Sequence, residues 1–181
     1  MNYRVGDILI TRDQISARVN EIAEDIRKNL AENKNGQELL VAGILKGAVV
    51  FIADLVRAIG RDVDVRMDFM ALSSYGSDTK SSGIVRIVKD LDTYIEGKNV
   101  LIVEDIIDTG LTMSYLLSIL QRRGPANLKV CSLLNKEGRR KVPVVVDYCG
   151  FEIPDEFVVG YGLDYSGRWR HLPDIHVAVP V

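Results

Sequence analysis

The chain reads as an α/β fold, a mostly parallel central sheet flanked by helices, and three observations predict it. Val100 to Val103 is a short apolar run that meets the paired acids Glu104 and Asp105, passes through a small-residue loop and enters helical spacing at Met113, Leu116, Leu117 and Leu120. Strand-like and helix-like segments alternate from Leu39 onward, the βαβ rhythm that favours a parallel sheet. A length of 181 residues with 47% hydrophobic content suffices for one well-buried domain and is short for two, so residues 1–181 are read as a single domain.

Each element follows from local pattern. Thr11 to Ala31 carries Ile15, Val19, Ile22, Ala23, Ile26 and Leu30 at helical spacing, with Thr11 and Gln14 placed as a capping box. Leu39 to Leu45 is strand-like, and Ala48 to Ile59 is helical through Phe51, Ile52, Leu55, Val56 and Ile59. Val63, Val65, Met67 and Phe69 alternate as a strand does. Further strands are expected at Ile84 to Val88, Val100 to Val103, Leu128 to Leu134, Val144 to Asp147 and Phe157 to Tyr161. Between them, Ser73 to Gly83 is too polar to bury much apolar surface and reads as a lid or a plain connector.

Composition narrows the function classes. A formal net charge of -2 and a pI near 5.7 give no broad electrostatic footprint for nucleic acid or an anionic membrane. Cys131 and Cys149 lack a nearby Cys/His cluster and read as small buried hydrophobes in a reducing cytosol. Met1 to Arg12 has no signal pattern, and no apolar stretch reaches membrane-spanning length, so a cytoplasmic chain is expected.

The loop after Val103 carries the chemistry. Ligands of open α/β sheets bind at the carboxyl ends of the strands. Glu104 and Asp105, expected where the strand stops, are adjacent acceptors suited to sugar hydroxyls or to Mg2+, and Asp108 stands apart from them. Thr109, Gly110, Leu111 and Thr112 lead into the helix, where free amides, two hydroxyls and a glycine can cradle a phosphate. Carboxylates for a ribose beside donors for a phosphate imply a ribose 5-phosphate. The Ile107-Asp108-Thr109-Gly110 stretch also matches an aspartic-protease signature, but that enzyme needs a second copy and an all-β fold. A nucleotide-hydrolase reading lacks its Gly-x-x-x-x-Gly-Lys-Ser/Thr loop.

Leu45-Lys46-Gly47, Ser73-Ser74-Tyr75-Gly76, the Val100 to Thr112 run, Lys136, and the tail from Gly150 to Tyr165 occur in an order that resembles the type I phosphoribosyltransferases, in particular their hypoxanthine-guanine branch. The resemblance covers about Leu39 to Arg170. It implies a small hood built from the N- and C-terminal segments over the sheet. It also implies magnesium-assisted transfer of a phosphoribosyl group from phosphoribosyl pyrophosphate to N9 of hypoxanthine or guanine, with Mg2+ as cofactor.

Residue by residue, the resemblance makes Asp108 the general acid/base beside N7 of the purine. Glu104, Asp105, Thr109, Gly110, Leu111 and Thr112 hold the ribose 5-phosphate. Lys46, after a cis peptide, Gly47 and Arg170 hold pyrophosphate. Lys136, Phe157, Val158 and Asp164 form the purine site, Ser74 and Tyr75 belong to a closing lid, and Glu104, Asp105 and Asp164 are the metal carboxylates. Lysine only donates hydrogen bonds, so Lys136 suits a 6-oxo group and disfavours adenine. Leu111 stands where animal relatives carry lysine, which makes the chain look like the bacterial type, and the basic segment Glu137 to Pro143 reads as a solvated turn. The family assembles as homodimers or homotetramers. An RNA-binding regulator on the same fold is the competitor from another class, disfavoured by the acidic balance and by Asp108; a xanthine-preferring transferase is the nearer alternative.

Overall fold

The structure, a computed structural model, describes residues 2–32, 38–74 and 85–181. Its elements are β1 (Tyr3–Ile10), α1 (Arg12–Glu32), β2 (Glu38–Leu45), α2 (Val49–Ile59), β3 (Asp64–Ser74), β4 (Val85–Lys89), β5 (Asn99–Ile107), α3 (Leu111–Gln121), β6 (Asn127–Asn135), β7 (Tyr148–Glu152), β8 (Val158–Val159) and β9 (Ile175–Pro180). A 3-10 turn, Glu137–Arg139, follows β6.

Among the described residues the strands form two sheets. Six are ordered β4-β3-β2-β5-β6-β7, and all neighbours are parallel except the antiparallel edge pair β3-β4. The other three, β1-β9-β8, are antiparallel and join the two chain ends into the hood that the resemblance implied. Strand β5 lies inside the larger sheet, and its side chains alternate between two cores. Leu101 and Val103 pack on the side of α1 and α2, Val100 and Ile102 on the side of α3.

Local signals placed the helices. Thr11 accepts from the Gln14 amide at 3.3 Å and donates its own amide to Gln14 Oε1 at 2.9 Å, closing the expected capping box. All six apolar residues read as the inner face of α1 are buried. Helix α2 stops at Gly60, whose φ of 77° is left-handed. Both cysteines are free; Cys131 is buried, Cys149 is half-buried, and burial pushes both thiols up.

Three expectations need correction. Val144 to Asp147 is not a strand; the Asp147 carboxylate accepts the Val130 amide of β6 at 2.8 Å, so backbone pairing begins one residue later, at Cys131–Tyr148. Phe157 to Tyr161 contributes only the two residues of β8, and those belong to the hood; Gly160 and Tyr161 are left-handed, with φ of 101° and 49°, which ends the extended run. Strand β5 does not stop at the acids. It continues to Ile107, still paired with β6. The polar stretch with Tyr75 lies outside the described residues, and Ser74 is the last residue of β3.

Candidate active site

The acids owe their availability to a mismatch in strand length. Pairing of β5 with β2 ends at Gly43–Val103, whereas pairing with β6 runs to Ile107–Asn135. Glu104 and Asp105 therefore lie on a strand that has lost its ladder on one side. The chain leaving β2 turns there through Lys46 and Gly47, after a cis Leu45–Lys46 peptide. A methyl group on Gly47 would fall inside the Asp105 carboxylate, so only glycine permits this approach. Gly162 in turn abuts the carbonyl of Gly47.

Beyond β5 the loop from Asp108 leads to Gly110, left-handed with φ 81°, at the N-cap of α3. The first intrahelical bond runs from the Ser114 amide to the Gly110 carbonyl at 2.9 Å, leaving the preceding amides outside the helix ladder. They border a pocket of about 120 Å³ lined by Glu104, Ile106, Ile107, Asp108, Thr109, Gly110, Thr112 and Met113. Seven of those eight residues fall in the stretch that sequence analysis singled out. Leu111, the first residue of α3, is not among the lining residues.

Electrostatically, the pair is under tension. Part of Glu104 opens to the pocket, but protein crowds its carboxyl, and burial followed by the charge of Asp105 pushes it well above the ordinary carboxylate range. A cation or a hydrogen-bond donor from a ligand is what such a pair lacks.

Base-site candidates gather on the neighbouring loops. Lys136 is buried at the end of β6, its amide donates to the Ile107 carbonyl at 2.9 Å, and its ammonium lies 3.6 Å from Asp155. Phe157, 41% exposed, sits in an aromatic cluster with Tyr3 at 5.1 Å and Tyr165 at 6.0 Å between ring centroids; Tyr165 stacks on Trp169. Val158 is buried in β8. Arg170 is not a free guanidinium. It donates to the Gly162 carbonyl at 2.5 Å and pairs with Asp164 at 2.5 Å, while Asp164 also accepts the Gly167 amide.

The segment expected to be a solvated turn opens as a 3-10 turn with most of its residues exposed, and its far end also closes on the site loop. Lys141 and Val142 donate their amides to the Thr109 carbonyl at 2.9 and 3.3 Å, and Arg140 hydrogen-bonds Asn135. Arg139 lies 3.2 Å from Asp108 and 3.0 Å from Asp155, and the bond from Arg139 holds the Asp155 carboxyl below its usual range. Sequence reasoning missed Arg139, Asp155, Tyr3 and Tyr165. Asp155 and Tyr165 stood within the stretch that carried the resemblance, but nothing local marks them as neighbours of Arg139 or Phe157.

A sequence profile of the phosphoribosyl transferase domain matches residues 10–166. The chain belongs to the phosphoribosyl transferase family. It is 50% identical over 178 residues to a hypoxanthine-guanine phosphoribosyltransferase of Mycobacterium avium, covering 97% of this chain and 87% of that protein. The enzyme of the same name from Bacillus subtilis is 45% identical over 180 residues, 99% of this chain and 97% of the relative. A crystal structure of a hypoxanthine-guanine phosphoribosyltransferase from Bacillus anthracis superposes with a TM-score of 0.90 at 44% identity, covering 97% of this chain and all of that one. This phosphoribosyltransferase is therefore an enzyme of purine salvage, and its mostly parallel sheet flanked by helices is the family's fold. Among the described residues, no helix is long and apolar enough to cross a membrane.

Proposed function

We propose that this phosphoribosyltransferase, acting as one domain over residues 1–181, moves the 5-phosphoribosyl group of phosphoribosyl pyrophosphate to N9 of hypoxanthine and of guanine. The products are IMP or GMP and pyrophosphate. One observation carries the reading: the acids of β5, the opened end of α3 and the buried Lys136 all border the same loop, with Lys136 tied to Ile107 just before Asp108. The relatives' names supply the bases.

In this reading Thr109 to Thr112 bind the 5-phosphate through backbone amides and hydroxyls, and Glu104 and Asp105 bind the ribose. Lys46, Gly47 and Arg170 face the leaving pyrophosphate. Phe157 stacks on the base, the Val158 backbone reads its edge, and Lys136 donates to the 6-oxo group. Asp108 handles the purine proton as general acid/base. Ser74 and Tyr75 are assigned to a lid that excludes water during transfer.

The donor set fits Mg2+. Among the described residues no three metal-binding side chains cluster, but Mg2+ is commonly held by one or two carboxylates together with substrate oxygens and water. Glu104 and Asp105 are such a pair. Asp164 is already engaged by Arg170 and Gly167, so a second ion there has to share its oxygens. When bound, the ion supplies positive charge against the pyrophosphate that departs. Purine salvage of this kind suits a cytoplasmic enzyme without nucleic-acid or membrane partners, and a homodimer or homotetramer is the expected assembly.

The test is a set of transfer assays with phosphoribosyl pyrophosphate, Mg2+ and radiolabelled hypoxanthine, guanine, xanthine, adenine or uracil. Labelled IMP and GMP are expected, with adenine and uracil inert. Preferential use of xanthine would move the specificity, and no turnover on any base would end the reading in favour of a regulator.

A further inference from the structure

We propose that Arg139 is a positioning residue for the Asp108 carboxylate and that Asp155 anchors Arg139 from its other side. The inference rests on the transfer reading above and extends it to residues that reading does not use.

Four charged side chains form an alternating chain along the purine side of the loop. Arg139 Nε is 3.2 Å from Asp108 Oδ1, Arg139 Nη1 is 3.0 Å from Asp155 Oδ1, and Lys136 Nζ is 3.6 Å from that same Asp155 oxygen. The group assigned to the purine proton is thereby connected, through one arginine and one carboxylate, to the group assigned to the 6-oxo oxygen. The mount is short. Lys136 and Arg139 occupy one 3-10 turn, closed by the Arg139 amide on the Lys136 carbonyl at 3.1 Å, and the Lys136 amide fixes that turn to Ile107, the residue before Asp108.

The geometry at Asp108 separates holding from using. Its Oδ1 is enclosed by protein yet accepts no hydrogen bond among the described residues, because Arg139 Nε is within ion-pair distance but poorly aligned. The guanidinium restrains the enclosed oxygen by charge and leaves the other side of the carboxylate, 40% exposed as a side chain, for a proton on the base. Arginine suits this task because two nitrogens of one rigid plane reach two separate carboxylates, which the single ammonium of lysine cannot do in one fixed geometry. The pair is not there for stability. Arg139 is 45% exposed, and ion pairs this open contribute little to folding. Its effect belongs in kcat and not in Tm.

Steady-state kinetics of the full chain with Arg139→Gln, Arg139→Lys, Asp155→Asn and the Arg139→Gln/Asp155→Asn double variant, with hypoxanthine, Mg2+ and phosphoribosyl pyrophosphate, tests this. Arg139→Gln is expected to lower kcat about tenfold, since small misplacements of a reacting group are costly. Its KM for phosphoribosyl pyrophosphate and its Tm should stay near the parent's. Arg139→Lys recovers part of the loss, and the double variant is no worse than Arg139→Gln because the two residues act as a unit. A kcat unchanged or raised in Arg139→Gln, or a loss found only in Tm or in that KM, overturns the proposal. An active parent with such a result sinks this inference alone; a parent inactive on every base sinks the transfer reading and this inference with it.

Discussion

Asp68 on β3 and Glu104 on β5 are acids of one sheet, two strands apart, and the fold treats them in opposite ways. Burial alone would push Asp68 up, but it accepts the amides of Phe69, Asp92 and Thr93 at 2.7, 2.9 and 3.0 Å and pairs with Lys89, and its carboxyl is held below the ordinary range. Glu104 is pushed up by burial and by Asp105, against which the Asp105 amide at 3.3 Å is a weak offset. Asp68 pins the chain after β4 to β3; Glu104 is left wanting a partner. The contrast separates acids that hold the protein together from acids kept ready for something outside it.

Asp108 offers the hardest test of that division, as an acid on the functional side with one unshared enclosed oxygen. Asp108→Asn is expected to lower kcat about 10²- to 10⁴-fold, the usual worth of a general acid/base. Tm should move by no more than about 2 °C. Single-turnover rates and a thermal scan decide it, and a rate within tenfold of the parent's would place proton transfer elsewhere.

Asp68→Ala probes the structural side. It strands three part-buried amides and should cost about 2–3 kcal/mol, or roughly 4–12 °C in Tm, while activity at 25 °C persists. Because the folded value of Asp68 is depressed, its stabilisation is complete above the unfolded value of 3.8 and disappears as pH falls through the folded value. The gap between parent and variant should shrink in acid. An equal gap at neutral and acidic pH would show that the carboxylate's charge is irrelevant.

The smallest effect expected is a gain. Glu104 has a folded value above its unfolded 4.5, so the folded state holds the proton more tightly and stability falls as pH climbs from 4.5 through the folded value. Glu104→Gln removes that penalty. Its Tm without added ligands should rise by about 2–4 °C at about pH 8 and match the parent near pH 4, at the expense of phosphoribosyl pyrophosphate binding. A lower Tm at about pH 8 would mean that Glu104 is structural after all.

What could be read locally was read well. The inner face of α1, the Thr11–Gln14 cap and the helix after Asp108 depend on residues a few positions apart, and each appears where spacing put it. Val144 to Asp147 shows the limit. Three valines in a row satisfy strand propensity, but the Asp147 side chain occupies the acceptor position on Val130 that a neighbouring backbone would need. Glu137 to Pro143 is an exposed turn, as its charges suggest, but nothing local shows that the Lys141 and Val142 amides close on Thr109.

Sequence alone determined the βαβ order, the faces of the helices and the acids and small residues that meet at the head of α3, because periods of 2 and 3.6 and cap chemistry are written within a turn or two of chain. Tertiary structure decided that β5 outruns β2 at Val103, that Gly47 lies against Asp105, that Tyr3 backs Phe157 and that Arg139 reaches Asp108. Those contacts join segments distant in sequence. Their registers are selected by packing of the whole sheet and hood, and no local window contains both partners.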